Sequence, residues 1–97
     1  MQVFWSLGST DRFVVQTWSD EAVVYDSWSS DTHLLEPLAV AVLHLLGAGR
    51  LLRQDILSAL SDLFGTLPDD NLAEQTDATL SNLQHIGLIH TITLETR

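Results

Sequence analysis

An α+β, winged-helix-like fold is predicted by three features of this sequence. The first 35 residues carry β-branched and aromatic runs separated by turn residues, three helical patterns each closed by glycine follow from Pro37, and an alternating run, Ile89 to Leu94, comes last. Runs of the first kind form short antiparallel strands, and apolar residues spaced by three and four form one face of a helix. The expected architecture is a short antiparallel β-sheet of about three strands, then three helices, then a possible C-terminal strand. At 97 residues the chain makes a single domain over 1–97, with a β-rich half (1–35) and a three-helix half that ends in the strand (36–97).

Val3-Phe4-Trp5, Phe13 to Trp18 and Ala22 to Tyr25 are the first strand patterns, set apart by Gly8-Ser-Thr-Asp11 and by Ser19-Asp20. Two residues suffice for a hairpin, but neither is the glycine that would fix such a turn, so its register stays open. After Asp26 the polar turn Ser27-Trp28-Ser29-Ser30-Asp31 leads into a further short strand, Asp31 to Leu35. Trp5 and Trp18 lie in strand patterns and are expected to pack in the core or at a sheet edge, because large aromatics dominate small cores.

The first helix, Pro37 to Leu46, opens on a proline whose missing N–H costs nothing at that position and stops at Gly47-Ala-Gly49. It has no polar face, so it should be the central, most buried helix. The second, Gln54 to Phe64, puts Ile56, Leu57, Leu60, Leu63 and Phe64 on one stripe before Gly65. The third starts after Pro68 with Asp69 or Asp70 as N-cap and carries Leu72, Thr76, Leu80, Leu83 and Ile86 at helical spacing before Gly87. The second and third helices have the order of a helix-turn-helix pair, and Ile89 to Leu94 would begin a wing.

Composition excludes several functions. There are 13 acidic residues against four arginines and no lysine, a formal net charge of -9, which disfavours polyanionic partners. A DNA-binding regulator neutralises many phosphates with Lys and Arg, yet the third helix contains Asp69, Asp70, Glu74 and Asp77 and no basic residue. No apolar run approaches the roughly 20 residues of a membrane span, and the start lacks a basic signal region, so a cytoplasmic protein is expected. Without cysteine there is no disulfide, thiolate metal site or cysteine nucleophile. His33, His44, His85 and His90 show no metal-ligand spacing, and no GxSxG or Gly-rich phosphate loop occurs. The expectation is a protein without catalysis, metal or cofactor.

From Trp18 to Leu46 the segments "DEAVVYD", "DTHLL" and "PLAVAVLHLL" resemble the PqqD-like proteins, in particular the subgroup found beside an HPr kinase-related protein (the HPr-rel-A system). The resemblance continues to Leu83-Gln84-His85-Ile86-Gly87-Leu88-Ile89 and so covers nearly the whole chain. It implies a peptide chaperone, or RiPP recognition element, which binds the leader of a ribosomally made precursor and presents it to a modifying enzyme. This chain departs from the pattern in its turn, where a glycine is expected ahead of Asp31-Thr-His-Leu-Leu.

The same resemblance implies where the peptide sits: as an added antiparallel strand beside Asp31 to Leu35, its apolar side chains falling toward the third helix. The candidate peptide-binding residues are Thr32, His33 and Leu34 on the strand edge and Leu80, Leu83 and Gln84 on the helix wall. Leu80 and Leu83 serve the core equally well by their spacing. Trp28, among serines at the hairpin tip, is either an exposed anchor or folds back over the sheet. His33 beside a docked peptide would make binding pH-dependent, and the acidic field would favour a leader with Lys or Arg flanking its apolar anchors. An alternative partner is the HPr kinase-related protein itself, with this chain as a docking subunit, and an open edge strand could also close a homodimer.

Overall fold

The computed structural model describes residues 2–8, 11–67 and 69–94; Ser9 and Thr10 of the first loop and Pro68 lie outside them. The strands are β1 (Gln2–Leu7), β2 (Phe13–Trp18), β3 (Glu21–Asp26), β4 (Asp31–Leu35), β5 (Leu51–Leu52) and β6 (Ile89–Leu94). The helices are α1 (Pro37–Leu46), α2 (Arg53–Phe64) and α3 (Asp70–Ile86). This is the winged-helix-like α+β architecture that the sequence predicts, with its strands divided between two three-stranded antiparallel sheets.

The second sheet, ordered β2-β3-β4, is a meander of neighbouring strands. Its first hairpin has the register Trp18↔Glu21, and Ser19 takes the glycine-like φ of 54°. Strand β1 does not join this sheet. It pairs along its whole length with β6, from Gln2↔Leu94 to Leu7↔Ile89, and on its other side with β5. The last strand therefore flanks β1, the centre strand of a sheet ordered β5-β1-β6. The chain leaves β1 at Gly8, whose N–H donates to the Leu88 carbonyl at 2.9 Å. A Cβ at Gly8 would stand 3.0 Å from the Gly87 carbonyl oxygen, so glycine is what lets the two backbones approach.

Helix α1 packs against both sheets, and α2 and α3 pack on α1 and on the β5-β1-β6 sheet. Val24 and Leu35 from the meander, Val42 of α1, Ile56 and Leu60 of α2, Leu80 and Leu83 of α3 and Ile89 of β6 form the centre of one core. Helix α1 touches both other helices and both sheets, as expected of the most apolar segment. Helix α2 departs from its stripe in the last turn: Leu63 and Phe64 are exposed, and Ser61 is buried with its hydroxyl donating to the Thr66 carbonyl. The chain turns away there at Gly65, and that turn's apolar side stays partly exposed. Trp5 packs partly buried against the core, whereas Trp18 stands half exposed at the end of β2.

Helix α3 is fixed at both ends. Asp69 is the N-cap, its Oδ1 accepting from the Leu72 N–H at 2.9 Å. At the other end the Leu88 N–H bonds to the Leu83 carbonyl and the Gly87 N–H to the Gln84 carbonyl, with Gly87 at φ 101°, which is a Schellman closure.

Candidate functional site

Only β3 pairs with β4 among the described strands, so one edge of β4 is open. Alternate residues of a strand direct backbone N–H and C=O groups to each edge, which leaves unpaired donors and acceptors along this one. The register Ala22↔Leu35 and Val24↔His33 turns Leu35 and His33 toward the core side, while Thr32 and Leu34 point outward. Leu35 is buried, His33 half-buried, and Leu34 is 66 % exposed.

Between this edge and α3 runs a groove of about 440 Å³. One side is the end of β4 and the start of α1: Leu34, Leu35, Glu36, Leu38 and Ala39. The other is a stripe on α3, Gln75, Ala78, Thr79 and Asn82, whose i, i+3, i+4, i+7 spacing sets them on one face. The expected helix wall is thus corrected. Leu80 and Leu83 are 1 % and 0 % exposed and belong to the core. Gln84 is exposed but does not line the groove, since nine positions at 100° per residue carry it half a turn round from Gln75. The face that meets the groove is small and uncharged, which is what leaves room there.

The end of β3, just before the β4 hairpin turn, is linked to the end of α3 by a residue that sequence reasoning missed. Arg12, in the turn before β2, grips the carboxylate of Asp26 with Nε to Oδ1 at 3.1 Å and Nη2 to Oδ2 at 2.6 Å. The same Nη2 donates to the carbonyl of Ile86, the last residue of α3, at 3.1 Å. A cation at this helix end also meets the negative pole of the helix dipole. Asp26 is almost wholly buried and is held down to about pKa 2, chiefly by the Arg12 hydrogen bond and further by the Trp28 N–H, against the opposing effect of burial. The guanidinium carbon lies 4.8 Å from the Trp28 ring centroid and 4.6 Å from that of Phe13. Trp28 therefore leans on Arg12 and still exposes 77 % of its surface at the hairpin tip.

Among the described residues no group of three or more His, Cys, Asp or Glu is placed to share a metal ion, and no helix is long and apolar enough to cross a membrane. No family model matches the sequence, and no curated protein matches it. One solved structure does share its fold. It is TbiB1 in complex with the TbiA(beta) leader peptide, which superposes with a TM-score of 0.69 over 88 % of this chain and 94 % of that one at 16 % sequence identity. Likeness at that identity establishes the architecture that positions the groove.

Proposed function

We propose that this chain is a non-catalytic peptide-binding domain that captures the leader of a precursor peptide as an added strand on β4 and presents it to a modifying enzyme. The observation that carries this reading is the open β4 edge lying beside a groove of about 440 Å³, in a fold shared with a protein solved with a leader peptide. Backbone hydrogen bonds at the edge give sequence-tolerant affinity, and alternate side chains entering the groove give choice. Thr32, His33 and Leu34 would form the edge, and Gln75, Ala78, Thr79 and Asn82 the wall. Trp28, at the far end of the same strand, would contact the peptide where it leaves or the enzyme that receives it. The PqqD-like resemblance supports the same role; docking on the HPr kinase-related protein is the alternative.

The test is an amide NMR titration of the isotope-labelled protein with leader-length peptides from small reading frames beside its gene. Shifts clustered on Thr32 to Leu35 and on Gln75 to Asn82 are expected. Silence in both segments, with broadening on addition of the kinase-related protein, would instead make the chain a docking subunit.

A further inference from the structure

A second cleft, of about 370 Å³, continues the groove past the end of β4. The two share Glu36, Leu38 and Gln75 in their linings, so they lie next to each other along α3. The second cleft adds Phe64 from the exposed last turn of α2, Leu72 from the first turns of α3, and the polar residues Thr66, Asn71 and Asp69, the last with its Oδ1 engaged in capping the helix. Neither part is lined by a cationic side chain. Glu36 stands at the junction, at the N-cap of α1, yet its side chain makes no capping hydrogen bond and has no partner among the described residues. A mixed lining in which Leu38, Phe64 and Leu72 lie near an unengaged carboxylate suits a side chain with an aliphatic stem and a cationic head, and an exposed aromatic adds attraction for a guanidinium.

We propose that this second cleft binds an arginine or lysine carried just N-terminal to the peptide segment that pairs with β4. The inference rests on the strand-addition reading above and fixes the direction of the peptide. Every paired strand in this protein is antiparallel, and antiparallel addition is the more stable mode. Strand β4 runs from Asp31 to Leu35 and then reaches Glu36. An antiparallel peptide therefore has its N-terminal end at Glu36 and the second cleft, and leaves C-terminally past Asp31 toward Trp28. The site reads polarity: cation first, apolar strand after. The charge of -9 attracts cationic peptides in either direction, and Asp31 and Trp28 stand at the other end of β4. There the Arg12 guanidinium already lies against the Trp28 ring, whereas Glu36 and Phe64 engage no cation among the described residues.

The experiment uses two synthetic peptides, acetylated and amidated, with the same alternating apolar segment and an Arg-Arg pair either just before or just after it. Each is titrated into the labelled full chain and into its Glu36→Gln variant at low salt. The N-terminal-cation peptide should bind about fivefold tighter, the effect of one partly exposed ion pair, and E36Q should remove most of that preference. Equal affinity of the two peptides, with shifts on Asp31 to Leu35 for both, would overturn the polarity while leaving strand addition standing. A preference that E36Q leaves intact would overturn the role of the cleft. If neither peptide moves those amides, strand addition itself fails and this inference falls with it.

Discussion

Arg12 and Asp26 stand 14 residues apart and meet in a two-point ion pair that the guanidinium extends to the Ile86 carbonyl, tying the β3–β4 hairpin to the end of α3. Strand β4 of that hairpin, with the start of α1, forms one wall of the groove and α3 the other. A side chain remote from the groove thus links elements on its two sides.

This pair makes stability depend on acid in a defined window. Asp26 has its folded pKa lowered from 3.8 to about 2, so the unfolded chain takes up the proton first as pH falls. The contribution is complete above about pH 4 and is lost as pH drops through the folded value. Urea midpoints between pH 5 and pH 2 should fall for the natural chain. Asp26→Asn should start lower and show a flatter decline over that range.

Thr76 is fully buried on the core face of α3, and its hydroxyl has no partner among the described residues. An unpaired buried hydroxyl carries a desolvation cost that a methyl group of similar shape does not. Thr76→Val is expected to raise stability by about 1 kcal/mol, roughly 4–8 °C in Tm for a domain of this size. Scanning calorimetry of the two proteins decides it.

Leu34 and Leu83 separate binding from folding. Leu83→Ala empties a fully buried site and should cost about 2–5 kcal/mol in a denaturant titration. Leu34→Ala, at an exposed position, should change stability by no more than about 0.5 kcal/mol while weakening peptide affinity in the NMR titration. Loss of stability in the second variant with binding unaltered would show that Leu34 serves the fold.

Arg53 and Asp77 pair in two-point fashion between α2 and α3, at 2.6 and 2.9 Å, and about half of each side chain is exposed. The Arg53 hydrogen bond lowers the Asp77 pKa, but solvent screens such pairs heavily. Asp77→Asn is therefore expected to cost less than about 1 kcal/mol at low salt. The difference should vanish near 1 M salt, as thermal melts at both ionic strengths would record.

Much of this fold is legible locally. The bounds of α1, the Asp69 cap, the glycine that ends α3 and the strand from Phe13 to Trp18 all follow from signals within a few residues. What escapes is long-range. No pattern in Val3-Phe4-Trp5 says that it pairs with Ile89 to Leu94 and not with its neighbour, and Arg12 carries no local mark of Asp26. The groove wall was within reach. Gln75, Ala78, Thr79 and Asn82 form an uncharged, mostly small stripe on an otherwise acidic helix, but core periodicity draws attention to Leu80 and Leu83 instead.

The division into two sheets also orders how the chain can assemble. The meander β2-β3-β4 closes over turns of a few residues, so its loop-closure entropy is small and the open edge can form early. The sheet of β1 and β6 joins the two ends of the chain and pays for closing nearly all of it. From contact separation alone, the meander is expected to form ahead of that long-range pairing. A β4 edge formed first would be open to pairing with other chains until the rest of the fold is in place.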